Sequence, residues 1–209
     1  MTPAQATNHL SIDERMIHGK RREKEILALL NSNSTDVVVE GVRYTNFIPS
    51  TNRDDMYNKI DAWCTSDADD RAHSVQIKFR DRGEDVGIAA IRPYRTHEEF
   101  VRDVERDDVE YDRDLRSDVD LYVCVVDNGS ALVVTTGKKI KRACSIVLSA
   151  FADSDGFEGR SWYRDKYRGT VLKLVTDRGD GYTYGQDKIV VYIAPWLLQR
   201  VGAYWKRLK

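Results

Sequence analysis

Leu121-Tyr122-Val123-Cys124-Val125-Val126 is almost wholly apolar, and this run limits the folds open to the chain more than any other segment. A strand with one wet face alternates apolar and polar side chains, so an unbroken apolar strand is one covered on both sides. That arrangement belongs inside a sheet flanked by helices. The expected class is therefore α/β.

The remaining segments fit this frame. Apolar residues at helical spacing predict a helix over Glu14 to Asn31, ended by the Asn31-Ser32-Asn33-Ser34 cluster. Val37 to Val42, Lys59 to Cys64, His73 to Arg80 and Val86 to Ile91 read as strands, the last two as a hairpin around Asp81 to Asp85. A polar segment with Pro49 and Asn52 separates the first two strands and has room for a helical turn. Thr96-x-x-Glu99 has the form of a capping box and opens a helix to about Arg106. Strands are expected at Leu132 to Thr135, Val171 to Thr176 and Lys188 to Ile193, and helices at Lys138 to Ala150 and after Pro195. No repeat, low-complexity tract or Pro/Gly linker divides the 209 residues, so one domain is expected.

In the His73 to Arg80 strand, Gln76 and Lys78 point to one side and Ile77 to the other. If the Lys59 to Cys64 strand is its neighbour, the Asp61 carboxylate joins them. A carboxylate, an amide oxygen, a strand carbonyl and an ammonium then converge, and the oxygens could hold Mg²⁺. On the first helix Glu23 lies three, four and seven residues before Ile26, Leu27 and Leu30 and so tracks the buried stripe. A carboxylate there needs a partner, because an unpaired buried charge is costly.

Asp61, followed at a 15-residue step by Gln76-x-Lys78, resembles the PD-(D/E)XK nuclease superfamily, with Gln in place of the usual acid as in Mrr-type restriction endonucleases. Gly19-Lys20-Arg21-Arg22-Glu23-Lys24-Glu25-Ile26 is similar to the first-helix pattern of its resolvases, with Glu23 as the matching acid and Glu25 as second choice. The resemblance covers about residues 13–126. It implies a restriction-endonuclease-like core, a central mixed sheet flanked by helices, with residues 129–209 as added C-terminal strands and helices. It also implies metal-dependent hydrolysis of DNA with Mg²⁺ or Mn²⁺. By this likeness Asp61, Gln76, Glu23 and the Ile77 carbonyl are the metal ligands, and Glu23, Asp61, Gln76 and Lys78 the catalytic set.

Charge is distributed unevenly along the chain. Residues 129–209 hold 15 Lys and Arg against 7 Asp and Glu, whereas residues 1–128 hold 18 against 27. A basic part beside an acidic one suits a nucleic-acid binder with one working face. Lys138, Lys139, Lys141 and Arg142 at the start of a helix, together with Arg80, are the candidate phosphate contacts. Trp162-Tyr163-Arg164 and Lys166-Tyr167-Arg168 interleave aromatics with cations, a pattern useful for stacking on unpaired bases. DNA and a second copy of the chain are the candidate partners.

Other classes find less support. Cys64, Cys124 and Cys144 lack C-x-x-C spacing, and the four histidines lack H-E-x-x-H spacing, which disfavours thiol or zinc chemistry and suits a reducing compartment. There is no phosphate-loop pattern and no Gly-x-Ser-x-Gly elbow. Without an apolar span or signal-peptide core, a soluble cytoplasmic protein without a membrane partner is expected. Two other classes remain open: a nuclease-like nucleic-acid-binding module that has lost turnover, and an α/β protein-interaction domain.

Overall fold

The computed structural model describes residues 12–32, 35–51, 53, 60–79, 86–91, 96–106, 109, 119–126, 129–154, 162–164, 171–176 and 187–208. Helix α1 (Ile12–Leu30) precedes four strands, β1 (Val37–Val39), β2 (Val42–Pro49), β3 (Ala62–Ser66) and β4 (His73–Phe79). Next come β5 (Val86–Ile91), α2 (His97–Glu105), β6 (Leu121–Val126), β7 (Ala131–Thr136) and α3 (Gly137–Ala152). The chain ends in β8 (Trp162–Arg164), β9 (Val171–Thr176), β10 (Asp187–Ile193), α4 (Pro195–Arg200) and β11 (Tyr204–Arg207).

Seven strands form the main sheet in the order β1-β2-β3-β4-β6-β7-β11. Every pairing in it is antiparallel except β4 with β6, which run parallel from Val75 opposite Leu121 to Phe79 opposite Val125. A parallel pair requires a crossover, and the chain between β4 and β6 provides it with β5 and α2. The apolar run of β6 is buried at all six positions, as expected for the strand at the heart of a mixed sheet. β1 also touches β7 and β11, so the two ends of the sheet approach each other.

The two faces of β6 belong to different cores. Leu121, Val123 and Val125 join Val75 of β4, Leu132 and Val134 of β7, and Ile26, Leu27 and Leu30 of α1. Tyr122, Cys124 and Val126 join the opposite core, where α3 buries Ile140, Ala143, Cys144, Val147, Leu148 and Phe151. Full burial of each large apolar side chain contributes roughly 1.5–3 kcal/mol. The C-terminal third is therefore integral: β7 and β11 extend the main sheet and α3 fills one of its cores.

Several boundaries depart from expectation for identifiable reasons. The strand expected over Val37 to Val42 is two strands, because Glu40 (φ 56°) and Gly41 (φ 81°) make a two-residue turn with both φ positive. The expected hairpin of β4 with β5 does not form. β5 instead pairs with β10 in a second sheet of order β5-β10-β9-β8, which buries Val86, Val191 and Ile193 against the α3 side of the main sheet. Short strands at Trp162–Arg164 and Tyr204–Arg207 lacked a sequence signal. Thr96 does cap α2, its Oγ1 accepting the Glu99 N–H at 3.2 Å. The Asp81 to Asp85 loop, Arg80, the Lys166-Tyr167-Arg168 segment and the first nine residues lie outside the described residues, as do the side chains of Trp162, Tyr163 and Arg164.

Candidate functional site

Asp61 stands immediately before β3, where the ladder between β3 and β4 runs out beyond Ala62 opposite Val75. Its N–H donates to the Val75 carbonyl at 2.9 Å, and its own carbonyl accepts the Ser50 N–H at 3.1 Å. The carboxylate continues the ladder where backbone cannot: Oδ2 accepts the Ile77 N–H at 2.6 Å. One aspartate thus ties together the end of β2, the start of β3 and the middle of β4.

Strand alternation decides which face these side chains use. Ala62 and Cys64 belong to the α1 core, whereas Asp61 lies just outside β3 and turns both its N–H and its carboxylate to the edge of β4. Gln76 and Lys78 lie opposite Tyr122 and Cys124, both in the α3 core, and alternate with Val75 of the α1 core. Gln76 and Lys78 therefore share one face of the sheet, and the Asp61 carboxylate meets β4 at the Ile77 N–H between them. Gln76 is only 3 % exposed, and its Oε1 finds no hydrogen-bond partner among the described residues. Lys78 is half-buried and lines a cleft of about 230 Å³ with Val86 of β5, Cys124 and Val126 of β6, and Val190 and Tyr192 of β10. Burial pushes the Cys124 thiol up to about 12, against a small opposing pull from the Lys78 ammonium. This cysteine is inert packing beside the lysine, not a nucleophile.

Glu23 does not join this group. Its carboxylate pairs with Lys20 one turn earlier on α1 at 3.0 Å, and α1 packs on the opposite face of the main sheet. The partner expected from across the site is replaced by a neighbour on the same helix, where i and i+3 side chains meet without tertiary help. Glu25, the second choice, pairs in the same way with Arg21 at 3.2 Å.

The candidate metal ligands at and beside Ile77 are all oxygens. They are the Asp61 carboxylate, the Gln76 amide oxygen and the Ile77 carbonyl, which projects from the same strand edge as the N–H held by Asp61. A hard divalent ion takes this donor class, and a buried amide oxygen lacking a partner is the observation that fits one. Among the described residues the group contains one carboxylate, and no cluster of three or more His, Cys, Asp or Glu side chains is placed to hold a metal.

The basic segment at the start of α3 divides. Lys138 and Arg142 are exposed and Lys141 is half-buried, whereas Lys139 is turned inward. Lys139 Nζ donates to the Gly202 carbonyl at 2.8 Å and pairs with Glu40 at 3.1 Å. Its charge joins the β1–β2 turn, α3 and the α4–β11 connection instead of waiting for phosphate.

A second polar group is invisible in the sequence because its members are far apart along the chain. Asp120, just before β6, accepts from the Ser74 N–H and Oγ–H, both at 2.9 Å, and from Arg71 at 2.8 Å. His73 is buried beside it, with Nε2 2.7 Å from Asp69 and 3.1 Å from Ser66 Oγ. This network fastens the β3–β4 turn to the entrance of β6 and so sets the parallel register that places Gln76 and Lys78.

No family model, curated protein or solved structure matches the chain. Fold and site together define an α/β protein with a mixed sheet, and none of its described helices is long and apolar enough to cross a membrane.

Proposed function

We propose that the chain is a metal-dependent nuclease that hydrolyses DNA phosphodiester bonds at a PD-(D/E)XK-type site. The observation that carries this reading is the Asp61 carboxylate held at Ile77, between Gln76 and Lys78 on one face of β4, with the buried Gln76 amide oxygen left without a partner among the described residues. The order of elements supports it: a helix, a meander of β2, β3 and β4, then a helix leading to β6 parallel to β4.

A divalent ion bound to these oxygens would supply a water of lowered pKa and a counter-charge for the phosphate. The residues have separable tasks. Asp61 is oriented by the Ile77 amide before any ligand arrives, which lowers the reorganisation needed on binding. Lys78 lines the cleft, and its ammonium is suited to ordering the attacking water and offsetting charge on phosphate oxygens. Exposed Lys138 and Arg142, with half-buried Lys141 between them, are the cations of the α3 segment for the DNA backbone.

A second reading, a DNA-binding module without turnover, is favoured by one specific observation: Glu23 is paired with Lys20, which leaves Asp61 as the single carboxylate of the site among the described residues. Incubating linear, circular and branched DNA with the purified chain and Mg²⁺ or Mn²⁺ separates the two. The nuclease reading expects metal-dependent cleavage that Asp61→Asn and Lys78→Ala each reduce at least a hundredfold. Salt-sensitive binding without cleavage by the wild-type protein selects the binding module.

A further inference from the structure

Across the main sheet from Lys78, the C-terminal ends of β4 and β6 open onto another cavity, of about 470 Å³, against α1. That volume is within the range of small-molecule sites, roughly 300–1,000 Å³. Its floor is apolar, made by Ile26 and Leu29 of α1, Phe79 of β4, Val125 of β6 and Leu208 after β11. Its rim is cationic. Arg21 and Arg22 both line it, and Glu25, the one acid among the described residues there, pairs with Arg21 at 3.2 Å.

The Arg22 guanidinium lies 3.8 Å above the centre of the Phe79 ring, and its Nε–H donates to His18 Nδ1 at 3.3 Å. The ring below and the imidazole beside it hold the guanidinium in a fixed plane, which reduces the side-chain entropy lost when something binds. A planar guanidinium can stack on an aromatic surface and donate in-plane N–H groups to phosphate oxygens, and bases stack on it as they do on rings. Apolar floor, flat cationic platform and basic rim together suit a ligand that joins a planar ring to a phosphate.

We propose that this cavity binds one nucleotide unit, its base stacked on Arg22 over the apolar floor and its phosphate held by Arg21 and Arg22. The unit is either a free mononucleotide or the terminal nucleotide of a strand. The proposal does not rest on nuclease activity, since it concerns the opposite face of the sheet and is tested by binding alone.

The experiment is equilibrium titration of the full chain with deoxyadenosine monophosphate, deoxyadenosine, inorganic phosphate and a 5′-phosphorylated single-stranded 12-mer. The monophosphate should bind at least ten times more tightly than either the nucleoside or phosphate. Arg22→Lys, which keeps the charge and loses the plane, should weaken it about tenfold, a loss in the range of one charged hydrogen bond. Leu29→Trp, which fills the cavity from α1, should abolish binding while the far-ultraviolet circular dichroism stays native. If Leu29→Trp fails to fold, Arg22→Lys at the solvent edge decides the matter alone. A 12-mer that competes with the monophosphate and binds at least tenfold more tightly identifies a strand end as the occupant. Equal or weaker binding identifies the free nucleotide. Monophosphate binding no tighter than that of phosphate, or unchanged by Arg22→Lys, overturns the proposal.

Discussion

The Asp61 carboxylate accepts the Ile77 N–H at 2.6 Å, so an aspartate side chain stands where the next residue of β3 would have offered a backbone carbonyl. Asp61→Asn keeps an acceptor in that place and Asp61→Ala removes it. The alanine variant should lose about 1–3 kcal/mol of unfolding free energy, the cost of stranding a partly buried amide, and the asparagine variant less than about 1. Urea denaturation measures both. Equal stability of the two variants would show that the bond does not hold β4.

Gln76 gives an opposite test, because its Oε1 is buried and has no partner among the described residues. Removing an unsatisfied acceptor should help: Gln76→Leu is expected to stabilise the metal-free protein by about 1 kcal/mol. Gln76→Glu puts a carboxylate in the same buried place. It should lower the melting temperature in a chelator, then restore it with Mg²⁺ or Mn²⁺ and reach half-maximal activity at lower metal concentration than wild type. A melting temperature indifferent to both ions would remove Gln76 from the ligand set.

The α3 cations should separate by function. Replacing Lys138, Lys141 and Arg142 with Ala should flatten the salt dependence of DNA binding, by roughly 0.9 in log–log slope for each phosphate no longer neutralised. Lys139→Met should leave that slope alone and cost about 1–2 kcal/mol in stability, since it deprives the Gly202 carbonyl and Glu40 of their partner. Gly202 has φ +89°, and a Cβ there would collide with Lys139 Nζ, so Gly202→Ala should also destabilise. Fluorescence anisotropy across a salt series and chemical denaturation read the two effects separately.

Acid stability should depend on Asp120. Burial pushes its carboxyl up, but the Ser74 N–H and Oγ–H and the Arg71 guanidinium outweigh that and hold it below the ordinary aspartate range. A carboxyl lowered in the folded state contributes stability that is fully present above the unfolded value, about 3.9, and is lost as pH falls through the lower folded value. Asp120→Asn should therefore destabilise at neutral pH and flatten the decline of stability below about pH 4. Parallel wild-type and variant curves in that window would exclude Asp120 as the source.

Much of the architecture is legible in the sequence because it depends on local pattern. The apolar run of β6, the Thr96 cap and the helix stripe of Ile26, Leu27 and Leu30 are each set by periodicity or by a neighbour within a few residues, and each forms as expected. The division of β1 from β2 is hidden because valines stand on both sides of a turn only two residues long, and the positive φ at Glu40 and Gly41 reveals the reversal.

Sequence by itself determined the α/β class, the positions of most elements, and the common face of Gln76 and Lys78, since alternation along one strand needs no partner. Tertiary structure alone decided the rest. It sent β5 to β10 instead of β4, gave Lys139 a backbone carbonyl and Glu40 as partners, and joined Asp120 to Ser74 across 46 residues. Helix amphipathicity likewise said that α1 has a buried stripe but not which face of the sheet receives it, and the receiving face put Glu23 on the opposite side from Lys78. The physical reason is common to all of these. Pattern along a chain records which side chains leave water, whereas the choice of what they meet is made by pairing and packing between segments that lie far apart in the sequence.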